Sequence, residues 1–366
     1  MKDWKMTYGS VWSERREGKG EDAEPLVVQY DTKSPCGVMG VFDGMGGSGS
    51  AVRTLSDGTT RTDAWLASRF IREKVLEWYE EHTPDHLLKE EEVMELQEYL
   101  IEKLENYKEE LGIKPSGLQG KMTRVLPTTM ATILWTTKKD GLFLNSIWAG
   151  DSRNYVLDSN GLRILTQDHV QGNNDAWTSL REDPPMTNVI CQDKVWKLER
   201  IVDAMRYPSV LISCTDGCFG YLLTPMHFEK MLIETFLKAE TMVEWMDNIK
   251  ERLLPVAGDD FSMAVLMNRE DWDKLKESLK KRLAVLEEKF IRPFEGIVAL
   301  QNNIDFMKQC LWNKYADGGF ELKVPKEVIH RKAIKDAVED LYEYYQLEEG
   351  KNVTTNNEGG EDDGIR

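Results

Sequence analysis

The feature that most constrains this chain is a recurrent junction, in which an apolar strand-like run ends on, or starts from, an isolated acid. "GVMGVF" leads into Asp43, "LNSIWAG" into Asp151 and "VLISCT" into Asp216, while Asp259 and Asp260 stand just ahead of "FSMAVLM". "GEDAE" adds Glu21 and Asp22 directly before "PLVVQY". Taken alone, any such acid reads as a turn residue or a helix cap. Strands paired in one sheet, however, would carry these ends together from distant positions. Carboxylates gathered without counter-ions repel one another and raise each other's pKa, so the pattern points to a cation. Oxygen-only donors select a hard divalent ion, magnesium or manganese, over zinc. The histidines at 82, 86, 169, 227 and 330 are scattered and offer no zinc set; His82 and His86 read as solvated residues at a helix start. Gly44, next to Asp43, would let a backbone carbonyl approach an ion closely.

Composition narrows the function classes. The chain has 366 residues, 41% of them hydrophobic, and a formal net charge of −17. That length can bury a substantial core, and the charge has the wrong sign for nucleic acid or an anionic membrane surface. An acidic chain still binds an anionic substrate where metal ions or local cations stand. The N-terminus lacks the basic and apolar regions of a signal peptide, and no apolar run nears the roughly 20 residues that cross a bilayer. A soluble, cytoplasmic protein is expected. The cysteines (Cys36, Cys191, Cys214, Cys218 and Cys310) lack the paired spacing of a zinc site and read as reduced, mostly buried thiols. Cys214 and Cys218, on either side of Asp216, read as core packing.

Along the chain, residues 7–60 are strand-rich and run into a helix expected from about Ser50. A helical insertion is expected over 84–111, with Pro84 in its first turn. Short strands fill 128–165, joined at the turn signals "KKDG" and "DSNG". The polar stretch 171–188 reads as a flap-like loop. A strand over 209–215, helices over about 225–254 and the strand "FSMAVLM" complete an α+β domain over 1–268. A helical extension over 269–348 and an acidic flexible tail over 349–366 follow.

The motifs "GEDAE", "GVFDGMGG", "TTMATILW", "WAGDSRNYVL", "GLRILTQDH", "LISCTDGCFGYL" and "DDFSMAVLM" occur in this order. Over about residues 7–268 the chain thereby resembles the type 2C metal-dependent serine/threonine protein phosphatases, and "DGMGG" is similar to their bacterial branch. The resemblance implies a four-layer α-β-β-α sandwich, two antiparallel sheets flanked by helices, with a binuclear centre at one end. It implies that Asp43 bridges two ions, manganese or magnesium, and that Gly44 lends its carbonyl to one. Asp216 and Asp259 would complete the other ion. Asp151, with Asp216, would hold a third, weaker one. Glu21 and Asp22 would act nearby, mainly through metal-bound waters, and Thr129 or Thr128 matches a threonine near the bound water. Asp260 aligns with the asparagine that follows the ligand acid in the family.

The family's phosphate-binding arginine falls on Glu17 here. Arg16 or Arg15 is the nearest substitute, with Lys19 behind them. The implied activity is hydrolysis of phosphoserine and phosphothreonine on proteins by a metal-activated water, with Asp43, Asp216 and Arg16 catalytic. The implied substrate is a phosphoprotein in signalling, the product of a cognate serine/threonine kinase. The histidine often credited with protonating the leaving group is Met45 here, so a water must serve or the group leaves unassisted. The alternative is a catalytically weak phosphatase-like module that binds or senses a phosphoprotein; the presence of Asp43, Asp216 and Asp259 together argues against it. The helical extension lies outside the resemblance and reads as packing or as a module for a protein partner.

Overall fold

The apolar runs become strands covered on both faces: Cys36–Val41, Ser209–Cys214 and Phe261–Asn268 are buried at every position. Such uninterrupted burial marks central strands of a layered protein. The computed structural model describes residues 4–30, 35–82, 89–114, 123–139, 141–172, 185–205 and 208–316. Its strands are β1 (Met6–Ser13), β2 (Leu26–Tyr30), β3 (Cys36–Val41), β4 (Val52–Thr54), β5 (Thr60–Thr62) and β6 (Met130–Lys138). β7 (Gly141–Ala149), β8 (Arg153–Asp158), β9 (Gly161–Ile164), β10 (Glu199–Met205), β11 (Ser209–Cys214) and β12 (Phe261–Asn268) follow. The helices are α1 (Asp63–Glu80), α2 (Glu90–Glu110), α3 (Pro225–Lys238), α4 (Met242–Leu253), α5 (Trp272–Leu286) and α6 (Arg292–Ala316).

Two five-stranded sheets form, in the orders β1-β12-β11-β8-β9 and β10-β7-β6-β3-β2. Every pairing within them is antiparallel. Met39, Ile133 and Leu144 of one sheet meet Val156, Leu211 and Leu266 of the other in a shared core. On the outer face of the second sheet, Leu66, Ile71 and Leu100 of α1 and α2 pack with Val38, Met130 and Leu134. On the first sheet, α4 lies so close to β1 that a Cβ on Gly9 would meet Met246 Cγ at 2.6 Å and Met242 Cγ at 2.8 Å. The layers are therefore α-β-β-α, the architecture that the motifs implied. The strands that end on or start from acids divide between the two sheets, β3 and β7 in one and β11 and β12 in the other.

Several expectations need correction. The helix expected from about Ser50 begins at Asp63, because β4 and β5 form a hairpin first. Threonines at 54, 59, 60 and 62 favour strand over helix, and Gly58 turns the chain at φ +83°. Thr62 then caps α1, its hydroxyl accepting from Trp65 N at 3.1 Å. β10 is an addition to the expected strands; it pairs with β7 as the edge strand of its sheet. His82 sits past the end of α1 rather than at a helix start, with Nδ1 2.6 Å from Trp78 O. Pro84 and His86 lie outside the described residues, as do 173–184 of the flap-like loop. The described ends of that loop are tied together, Gln171 N donating to Pro185 O at 2.9 Å.

The chain divides into two compact units, Met1–Leu283 and Ala284–Arg366. The first runs past 268 because α5 is packed into it. Trp272 packs tilted against Phe236 with ring centres 4.4 Å apart, Leu275 and Leu279 are buried, and Arg282 forks onto Glu229 at 2.6 and 3.1 Å. The described part of the second unit contains α6; residues 317–366 lie outside the description. Among the described residues, no helix is long and apolar enough to cross a membrane.

Candidate metal centre

Asp43 leaves β3 through the buried Phe42 and is clamped by its backbone. Its carbonyl accepts from Thr128 Oγ1 at 2.7 Å and from Thr129 N at 2.8 Å. These threonines are the approach to β6, the neighbour of β3, so strand pairing itself sets the clamp. Gly44 bridges Thr128, and a Cβ there would meet Glu21 O at 2.5 Å and Ala64 O at 2.7 Å. Only glycine fits between the Glu21 backbone and the start of α1. Thr129 Oγ1 lies 2.6 Å from Ser152 Oγ, which ties the Asp43 clamp to the turn carrying Asp151. That turn needs Gly150 at φ +104°, a backbone that side chains rarely tolerate.

Asp216 arrives from the other sheet, and Asp22 from the approach to β2, which is paired with β3. Asp22 is buried, and its Oδ2 accepts from Thr215 Oγ1 and Ser262 Oγ, both at 2.9 Å. Those hydroxyls belong to the end of β11 and the start of β12, the strands flanking Asp216 and Asp259. Asp260 binds backbone with both oxygens, accepting from Arg15 N at 2.7 Å and from Glu21 N at 2.6 Å. It thereby fixes the Arg15–Glu21 loop over the site, leaving Asp259 as the freer of the two acids. Glu21 accepts from Thr62 Oγ1 at 2.5 Å.

The electrostatics are those of an unneutralised cluster. Burial, then the charges of Asp22, Asp216, Asp151 and Asp259, hold the Asp43 carboxyl well above the usual range. Burial and the Asp216 charge do the same to Asp151. Asp216 is pushed up to about 6 by burial and by Asp259. Asp22 is pushed up to about 8, chiefly by burial, despite its two hydroxyl donors. Asp259 and Glu21 are raised too, again mainly by burial. Acids partly withdrawn from water and pressed upon by one another's charges need protons or cations. Among the described residues, Asp151 Oδ1 is buried without a hydrogen-bond partner. An orphaned carboxylate oxygen in a nest of acids fits a hard divalent cation, so the residues present suit the ions that the resemblance implies. Asp22, Asp43, Asp151, Asp216 and Asp259 could supply carboxylate ligands, and Gly44 a carbonyl.

A cleft of about 640 Å³ opens beside Glu21, Asp259 and Asp260, and Arg15, Arg16 and Lys19 line its other wall. The loop bearing these cations is built rather than loose. Glu14 accepts from Gly18 N at 2.5 Å and from Gly20 N at 3.2 Å, and Lys19 N donates to Arg16 O at 3.0 Å. Met45 packs against the α1–α2 core and offers no proton. Cys214 and Cys218 are buried beside Asp216. Sequence reasoning missed Thr62, Ser152, Arg61 and Trp65, of which all but Ser152 line the cleft. It missed the buried fork of Arg153 on Asp168 as well, at 2.9 and 2.6 Å. Ser152, Arg153 and Asp168 lie inside the quoted motifs, where nothing singles them out, and no local signal marks the others.

No family model matches the chain, and no curated protein matches it. Solved structures do. The serine/threonine phosphatase Stp1 from Staphylococcus aureus is 17% identical, with a TM-score of 0.51 over 73% of this chain and 95% of that one. A bacterial serine phosphatase is 16% identical, with a TM-score of 0.51 over 73% of this chain and 98% of its own. The serine/threonine phosphatase PstP/Ppp from Mycobacterium tuberculosis is 16% identical, with a TM-score of 0.50 over 72% of this chain and 98% of its own. The sandwich that gathers these acids is therefore the fold of the bacterial serine/threonine phosphatases.

Proposed function

We propose that the protein is a metal-dependent serine/threonine protein phosphatase, which hydrolyses phosphoserine and phosphothreonine on a cytoplasmic phosphoprotein. The observation that carries this reading is the acid cluster, with Asp22 buried and Asp43, Asp151 and Asp216 partly so, and with the orphaned Asp151 Oδ1, beside a cleft rimmed by cations. Two ions, manganese or magnesium, would be held by Asp43, Gly44, Asp22, Asp216 and Asp259, and a third, weaker one by Asp151 with Asp216. Such a pair supplies Lewis acidity, lowering the pKa of water toward neutrality and neutralising phosphoryl oxygens.

The chain's own residues supply the rest. Arg16, or Arg15 beside it, would hold the phosphoryl group from the cleft wall, as a guanidinium suits a phosphate fork. Asp260 positions that loop through Arg15 N and Glu21 N. The Thr129–Ser152 contact holds the Asp43 and Asp151 turns in register. The phosphatase unit is Met1–Leu283, and its substrate would be the product of a serine/threonine kinase. The test is turnover of p-nitrophenyl phosphate and of a phosphoserine peptide, with manganese or magnesium and with a chelator. Metal-dependent release of phosphate from both is expected. Inertness toward both, with peptide binding retained, would instead make the protein a phosphatase-like binding module.

A further inference from the structure

The β4–β5 hairpin carries a cation that the proposed chemistry does not use. Arg53 and Arg61 face each other across it, but their surroundings differ. Arg53 forks onto the fully buried Asp63 at 2.7 and 2.9 Å, which pins the hairpin base to the start of α1. Arg61 makes no hydrogen bond or ion pair among the described residues. Its guanidinium lies 4.5 Å above the centre of the Trp65 ring, where Arg69 also sits at 4.2 Å. Asp57, the acid that feels Arg61, spends its carboxylate on Thr59 N at 2.9 Å and Thr59 Oγ1 at 2.7 Å.

A half-exposed arginine held over an aromatic face is pre-organised, with less freedom to lose on binding. The hairpin itself is fixed at both ends. Leu55 N donates to Thr59 O at 2.8 Å, Asp63 N donates to Ala51 O at 2.8 Å, and Thr62 joins Glu21 at 2.5 Å. Arg61 and Trp65 line the same cleft as Arg16, Lys19, Asp259 and Asp260. The guanidinium is thus a pre-organised positive charge, with no ion-pair partner among the described residues, in the cleft that also meets the acids.

We propose that Arg61, stacked on Trp65, forms an anion subsite of this cleft, which takes a carboxylate or a second phosphate a few residues from the phosphoresidue of the substrate. The substrate class is then a phosphopeptide segment with an anionic flank. The proposal takes its substrate from the phosphatase reading, but the subsite is also measurable by binding alone.

The test compares phosphoserine peptides that differ only in the flank: glutamate, a second phosphoserine, or glutamine. Turnover is measured with manganese, and fluorescein-labelled copies report binding by anisotropy. The wild-type protein is expected to prefer an anionic flank over glutamine by about fivefold to tenfold, the scale of one charge-assisted contact. Arg61→Gln is expected to collapse that ratio to near one, whereas Arg61→Lys keeps part of it. The preference should also shrink between low and high salt. Comparison of the glutamate and phosphoserine peptides shows which anion the subsite takes. An unchanged ratio in Arg61→Gln, or equal handling of all three peptides by the wild type, overturns the proposal while leaving metal-dependent turnover standing. Flank-dependent binding that Arg61→Gln abolishes, in a protein that turns over no peptide, would support the subsite and overturn the phosphatase reading.

Discussion

Asp216 concentrates the conflict within the site. It ends a strand buried along its whole length, and burial together with Asp259 raises it to about 6. In the metal-free protein its charge is a liability, and with a divalent ion bound, as proposed, it would become a ligand. Asp216→Asn should therefore separate stability from function. The amide removes one like charge from the cluster, so the metal-free variant is expected to melt no lower than the wild type. Manganese should raise its melting temperature far less, and turnover of p-nitrophenyl phosphate should fall by about a thousandfold or more, roughly 4 kcal/mol of lost transition-state stabilisation. Differential scanning fluorimetry with and without manganese, beside a rate assay, reads all three. Retained turnover would remove Asp216 from the metal site. The choice between Asp259 and Asp260, by contrast, hangs on hydrogen bonds made to Arg15 and Glu21, far away in sequence. Nothing in "GDD" itself distinguishes the two acids.

At the scale of elements, the strands that end on acids were readable because strand and acid are adjacent in sequence. The β4–β5 hairpin was not, since "SGSAVRTLSDGTTRT" has no strong apolar period and its role depends on where Glu21 and Asp63 lie. The same limit hid the Arg153–Asp168 fork. Arg153 opens β8, Asp168 follows β9, and together they brace the turn at Gly150, whose carbonyl accepts from His169 N at 3.0 Å. Both side chains are almost wholly buried, at 2% and 4% exposure, and Arg153 also stacks on Phe219 at 4.0 Å. Removing one partner strands the other charge. Arg153→Met is expected to cost about 3–5 kcal/mol, or a fall in melting temperature of about 6–20 °C for a unit of this size. The double variant Arg153→Met/Asp168→Leu should recover most of that loss, because an apolar pair needs no hydration. Urea titrations of the two variants check this; equal losses in both would place the cost in packing rather than charge.

For the whole molecule, the net charge of −17 works against an anionic substrate, and the fold answers locally. It sets Arg15, Arg16, Lys19 and Arg61 on one cleft and brings Glu21, Asp259 and Asp260 to the same cleft. The acid cluster makes the stability of the metal-free protein depend on pH in an unusual direction. Asp22 and Asp216 have folded pKa values of about 8 and about 6, against about 3.9 for an unfolded aspartate. Between those limits the folded state holds more protons than the unfolded one, so stability falls as pH rises. In chelator, the melting temperature is expected to drop steadily from about pH 5.5 to about pH 8. A divalent ion competes with the same protons, so its stabilisation should be larger at the upper end of that range than at the lower. At about a hundred times its dissociation constant it should add about 2.7 kcal/mol, or roughly 5–11 °C. A metal-free melting temperature that stays flat or rises over this window would mean that the acids do not share one buried site, and the metal centre would fall with them.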